Sequence, residues 1–217
     1  LKVFKVVEKA NLLMDEEQVQ EAISLVQSAL EKKRNSQYEN AQLNYLLGSY
    51  FLRIKAQEKA LQHFIQVLDY VGNIPEVLHQ QALRTVAQMY MVEERYDLAK
   101  DYLVALTSLE AFNNAADYAL LAQALYKLED WPAALDAALM SKSISEKAGK
   151  VPNENLLLIL NAIHFETNAL ADMAKVLDLL ILHYPKPSYV MYLASVYGQM
   201  GDVRKQTILI ESLYDDG

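Results

Sequence analysis

The chain has no cysteine. That excludes a disulfide framework, a thiolate metal site and a cysteine nucleophile, and it leaves the compartment open on redox grounds. Glycine and proline are scarce, six and five in 217 residues, too few for the frequent tight turns of an all-β fold. The glycines are scattered, at Gly48, Gly72, Gly149, Gly198 and Gly201 among others, so no phosphate-cradling loop is present. Long apolar runs are missing too. The longest, around 156–160 and 179–182, are broken by Asn161 and His183, well short of the roughly eighteen residues of a membrane span. Positive charge is in deficit, with 20 Lys and Arg against 28 Asp and Glu, a net −8 and a pI near 5.0. Phosphate neutralisation supplies most nucleic-acid affinity, so nucleic acid is a poor partner for this chain.

What is there is apolar and periodic. The apolar fraction of 53% is ample for a core and excludes a disordered chain. The start, LKVFKVVEKANLLMDEE, interleaves Lys2, Lys5, Glu8 and Lys9 with apolar residues, which is an amphipathic helix and not the apolar core of a signal peptide. The tail, Asp215-Asp216-Gly217, reads as a loop past a helix. We expect a trimmed piece of a longer protein.

The stretch Tyr118 to Pro152, YALLAQALYKLEDWPAALDAALMSKSISEKAGKVP, shows the repeating unit best. Tyr118, Leu121, Ala122 and Leu125 share one face of a first helix. Trp131-Pro132 opens a second, because proline in a first helical turn loses no hydrogen bond. Ala134 and Ala138 give that helix a small-residue stripe for close approach, and Gly149 and Pro152 close the unit. Ala134 serves as a ruler for the rest. Equivalent small residues fall at Ala22, Ala60, Ala99 and Ala174, with Gln206 in the last place, at spacings of 38, 39, 35, 40 and 32. Six helix pairs follow, near 3–34, 38–72, 76–111, 115–149, 154–184 and 187–214.

Each pair has its own core slots. In the first, Asp15 is the expected N-cap of a helix over 16–34, with Glu16 and Glu17 on the helix dipole and Lys32-Lys33-Arg34 as its solvated end. The second carries Leu47, Gly48, Phe51, Ala60 and Phe64. The third carries Leu83, Val86, Ala87, Tyr90, Tyr96, Ala99 and Leu103. The fifth carries Leu158, Ala162, Phe165, Ala174 and Leu177, before Tyr184-Pro185-Lys186-Pro187 breaks the helix. The sixth carries Leu193, Ala194, Tyr197 and Gly201, with Gln206 predicting a looser crossing.

The aromatic, Leu-small, aromatic or Leu, Ala, Pro order of these units resembles the tetratricopeptide repeat over nearly the whole chain. The resemblance implies an all-α fold: one right-handed α-solenoid domain of about six helix pairs, with the first helix of each pair lining a concave groove. A narrower resemblance lies in the C-terminal third. Asn155-Leu156-Leu157-Leu158, Tyr184-Pro185-Lys186-Pro187-Ser188-Tyr189 and the run from Leu193 to Asp202, followed by Lys205-Gln206, are similar to a Gram-negative tetratricopeptide family described as components of the TonB system. That implies a periplasmic adaptor of the TonB–ExbB–ExbD machinery that drives outer-membrane uptake.

Counted along the first helices, the concave positions are Tyr45, Ser49, Leu52, Arg84, Gln88, Met91, Gln123, Tyr126, Met191 and Ser195. Aromatic, amide and thioether groups suit an extended or helical peptide better than a highly charged one. Chaperone-binding members of the superfamily grip a C-terminal carboxylate with several basic and amide residues. Arg84 is the one base in this set, so that clamp is not expected. His63, His79, His164 and His183 include no closely spaced pair for a metal, and they are expected to be structural or solvent-facing. Glu16-Glu17, Glu93-Glu94 and Asp215-Asp216 read as helix-end solvation and not as acid–base pairs. Tyr90, Tyr96, Tyr118 and Tyr197 fill core slots, which argues against base stacking. No catalytic residue, metal or cofactor is expected. The function expected is a non-catalytic scaffold for a protein partner, with a self-associating homodimer as the alternative and an enzyme or small-ligand binder as the competing class.

Overall fold

The computed structural model describes residues 2–109 and 114–215. Those residues form twelve α-helices and no strand. The helices pair in order as α1 (Lys2–Asp15) with α2 (Val19–Leu30), α3 (Gln37–Arg53) with α4 (Gln57–Leu68), and α5 (Glu76–Val92) with α6 (Tyr96–Thr107). Then follow α7 (Ala115–Lys127) with α8 (Trp131–Lys147), α9 (Glu154–Glu166) with α10 (Leu170–His183), and α11 (Pro187–Gln199) with α12 (Val203–Asp215). The expected end of the third pair at 111, and the tail residues Asp216-Gly217, lie outside the described residues. The chain divides into two compact units, Leu1–Leu106 and Thr107–Gly217.

All six pairs turn the same corner. One residue enters the left-handed region at Glu17, Lys55, Glu94, Glu129, Asn168 and Gly201, with φ between 54° and 77°. The amide of the following residue then donates back to the carbonyl five residues earlier: Gln18 to Leu13, Ala56 to Phe51, Arg95 to Tyr90, Asp130 to Leu125, Ala169 to His164 and Asp202 to Tyr197, all at 2.8–3.0 Å. This is the closure that satisfies the last carbonyls of a helix. Five of the six corners use a side chain where glycine is easiest, so those five are invisible to a search for glycine. The first corner also moves the expected start of α2. Asp15 ends α1 and is no cap, Gln18 precedes α2, and Lys32-Lys33-Arg34 lie beyond its end at Leu30.

Helix starts follow side-chain chemistry where it is available. Ser36 Oγ accepts from the Glu39 amide at 3.2 Å while the Glu39 carboxylate accepts from the Ser36 amide at 2.8 Å, a capping box that opens α3. Asn114 and Asn153 cap α7 and α9 through the amides of Ala116 and Asn155. Asp130 caps α8, with Pro132 in its first turn.

The crossings explain the packing. Ala22, Ala60, Ala99 and Ala134 each stand five residues after a corner and are fully buried. The same count from Asn168 reaches Met173, also fully buried, and not Ala174. The fifth pair therefore runs one residue out of the expected register. Its first helix buries Leu157, Leu160, Asn161 and His164, while Leu158 and Phe165 are 37% and 54% exposed. Leu158, Ala162 and Phe165 are thus not core slots, and Ala162 is only half-buried. The sixth crossing is tight instead of loose. A Cβ built on Gly198 would stand 2.7 Å from Gln206 Nε2, so glycine on α11 makes the room that Gln206 on α12 takes up. In the second pair a Cβ on Gly48 would stand 2.9 Å from three ring atoms of Phe64, the close approach read from Leu47-Gly48. Tyr90 is buried, whereas Tyr96, Tyr118 and Tyr197 are half-buried.

Candidate functional site

The first unit presents one face built by the first helices of its pairs. Helices α1 and α3 touch, and side chains of α1, α3 and α5 meet around a cavity of about 400 Å³. Val7, Tyr45, Leu46 and Leu78 give it an apolar wall, and Tyr38, Gln42 and Gln81 rim it. Further along α3 and α5 is a second cavity of about 220 Å³, lined by Leu52, Thr85, Gln88, Met89 and Val92, with Gln57 and Glu93 at its edge.

Tyr45 is held by its core side. Its ring meets Phe64 edge-on at 5.2 Å and 70° and packs on the Ala41, Val67 and Ala82 core, so the part of it that lines the cavity is held in place. Gln42 Nε2 donates to Tyr38 Oη at 2.8 Å, which orients the rim. Below lies a polar spine. His63 Nδ1 is 2.9 Å from Asn44 Oδ1, and its ring stacks on Phe51 at 5.4 Å. Burial holds the His63 pKa below its ordinary value. At the α1–α3 contact, Tyr50 Oη donates to Asn11 Oδ1 at 2.7 Å, and burial, with the Asp15 charge, raises the Tyr50 hydroxyl to about 12.

The sequence-expected residues divide accordingly. Tyr45 lines the larger cavity, and Leu52 and Gln88 line the smaller. Ser49 is half-buried and its hydroxyl donates to the Tyr45 carbonyl at 3.0 Å. Arg84 and Met91 are half-buried and line neither cavity. Tyr38, Gln42, Gln81, Thr85 and Val92 were not anticipated. For Tyr38 and Gln81 the signal is a seven-residue recurrence, Tyr38 to Tyr45 to Leu52 on α3 and Gln81 to Gln88 on α5, which keeps each series on one face of its helix, two turns apart.

In the second unit, Gln123 lines a cavity of about 410 Å³ between α7 and α9, floored by Ala116, Ala119 and Leu156 and edged by Lys150. Tyr126 packs against Trp131 at 5.2 Å. Met191 and Ser195 are exposed on α11, Met191 by 62%, and neither lines that cavity. The register shift adds Leu158 and Phe165 to the exposed apolar residues of this unit.

The remaining titratable groups have structural surroundings. His164 is buried, and burial lowers its pKa; its Nδ1 and the neighbouring Asn161 Oδ1 find no hydrogen-bond partner. Burial likewise lowers His79. Lys186 Nζ and Tyr189 Oη both contact Glu154 Oε1, at 2.6 and 2.7 Å, and hydrogen bonds from these two hold the Glu154 carboxyl low. Among the described residues no group of three His, Asp or Glu side chains could hold a metal ion, and no helix is long and apolar enough to cross a membrane.

No family model and no curated protein sequence matches the chain. Solved structures do. A tetratricopeptide repeat protein from Parabacteroides merdae covers 98% of this chain and 79% of its own, with a TM-score of 0.68 and 16% identity. The fold is that of a tetratricopeptide-repeat protein. Two further repeat proteins agree. YrrB, described as a TPR protein with an unusual peptide-binding site, covers 88% of this chain and 91% of its own at TM-score 0.67 and 15% identity. MamA covers 80% and 88% at TM-score 0.66 and 14% identity. At such identities the likeness is one of fold. In repeat terms, the α1–α3–α5 face of the first unit is the first-helix face, and its two cavities lie on the surface that this architecture leaves open.

Proposed function

We propose that the protein is a non-catalytic scaffold that holds a polypeptide partner on the first-helix face of its N-terminal unit. The observation that carries the reading is the pair of apolar cavities on α3 and α5, rimmed by Tyr38, Gln42, Gln81 and Gln88. Apolar pits surrounded by a few oriented polar groups are what a peptide side chain and its backbone require. The described peptide-binding site of YrrB, a repeat protein of the same fold, supports it. The C-terminal resemblance to the TonB-associated family supports a periplasmic location and a role as an accessory of TonB–ExbB–ExbD energy transduction.

The test is capture from periplasmic extract of a Gram-negative bacterium, with the wild-type chain and a Leu52→Asp, Gln88→Ala variant as baits. Both substituted side chains are exposed, so the fold should survive. The expected result is a partner, identified by mass spectrometry among TonB-system proteins, whose yield falls at least ten-fold on the variant. Equal yields would remove the groove assignment, and a partner set free of TonB-system proteins would remove the physiological one.

A further inference from the structure

We propose that the groove of the first unit takes an uncharged, proline-rich segment in the polyproline II conformation, anchored by two apolar side chains three residues apart. The proposal rests on the groove reading above and specifies its ligand.

The two cavities share three lining positions in repeat. Tyr45 and Leu78 line the first, and Leu52 and Thr85 line the second. Each residue of the second pair lies seven positions after its counterpart. Gln81 and Gln88 repeat in the same way. Seven residues are about two helical turns, which separates the pits by ~10.5 Å along the helices. A polyproline II segment rises ~3.1 Å per residue with three residues per turn, so side chains three apart point the same way ~9.3 Å apart. A β-strand does not fit. It alternates faces, so its like-facing side chains are ~6.6 or ~13 Å apart. A partner helix would match the distance with residues seven apart, but it satisfies its own backbone. The exposed amides Gln81 and Gln88 beside the pits would then have no backbone group to pair with. Polyproline II has no internal hydrogen bonds and leaves every carbonyl needing a donor. Tyr38 and Tyr45 give the first cavity the aromatic surface on which proline rings usually sit, and the second takes an aliphatic side chain against Leu52, Met89 and Val92. Charge agrees: Glu93 is the one charged side chain around the two cavities, so nothing there calls for a charged ligand.

The test uses the 217-residue chain and two fluorescein-labelled peptides of equal composition. One, fluorescein-βAla-Pro-Leu-Pro-Pro-Leu-Pro-Pro-NH2, has its leucines three apart; the other, fluorescein-βAla-Pro-Leu-Pro-Leu-Pro-Pro-Pro-NH2, has them two apart. Fluorescence anisotropy should show the first binding about ten-fold more tightly, and Leu52→Asp should abolish the difference while leaving the circular dichroism spectrum unchanged. Equal affinities overturn the proposal, as does a preference that survives Leu52→Asp. Tighter binding of an Ala/Lys helix-forming peptide with leucines seven apart overturns it in favour of a helix. If the extract-derived partner depends on Leu52 and Gln88 but neither proline peptide binds, this inference fails and the groove reading stands. If the proline peptides bind through Leu52 while partner capture ignores it, the groove reading fails.

Discussion

At the scale of single residues, two glycines face two different neighbours. The Phe64 ring beneath Gly48 is 1% exposed and locked by its contact with Tyr45, so it cannot give way. Gly48→Val should cost ~2 kcal/mol or more by overpacking, read as a fall in denaturant midpoint. Gly198 faces the flexible end of Gln206, which is half-exposed, so Gly198→Ala should move the midpoint far less. His164 gives a pH prediction. Burial holds its folded-state pKa below the ordinary histidine value. The unfolded chain therefore takes up the proton first as pH falls, and stability is lost downward from about pH 6.5. His63 and His79 act in the same direction. His164→Phe puts an aromatic ring in the slot that Phe51 and Tyr90 occupy in other pairs. Thermal melts between pH 7.5 and 5 should show a smaller acid loss in that variant than in the wild type; an identical loss would show that His164 does not titrate as its burial implies.

At the scale of elements, the six corners set the repeat, and they were the least legible feature. Ala22, Ala60, Ala99 and Ala134 read correctly because a small residue at a crossing is a requirement of packing. The corner at Glu93-Glu94-Arg95 was legible as well, but Glu17, Lys55, Glu129 and Asn168 gave no signal of theirs, because Glu, Lys and Asn can enter the left-handed region at a cost of about 1–2 kcal/mol per residue. The fifth pair misled for another reason. The run Leu156-Leu157-Leu158-Ile159-Leu160 is apolar on every side of α9, so periodicity cannot choose its buried face, and Met173 is too large to be sought at a crossing. The corner Asn168 fixes both. Gly201 is the one glycine corner. A β-branched residue there should be strained in a way that Glu129 is not, so Gly201→Val should lower stability by ~1–3 kcal/mol and Glu129→Gly should leave it within about 1 kcal/mol. Chemical denaturation of the two variants compares them directly.

At the scale of the molecule, composition excluded more than it identified. The lack of cysteine, the sparse glycine and proline and the acidic balance left an all-α repeat chain, and the helices bear that out. The candidate site was legible in part. Tyr45, Leu52 and Gln88 could be counted from the repeat, but the cavities also need Tyr38, Gln81 and Thr85, whose seven-residue recurrence runs within α3 and within α5 and forms cavities only where the two helices line them together. The central claim is that the first-helix face of the N-terminal unit is where a partner is held. The most direct measurement is photo-crosslinking in periplasmic extract from benzoylphenylalanine placed at Gln88, beside the smaller cavity, and at Leu139, 47% exposed on α8. Crosslinked partner from position 88 and none from position 139 is the result this account predicts. Crosslinking from 139 with none from 88 would contradict it.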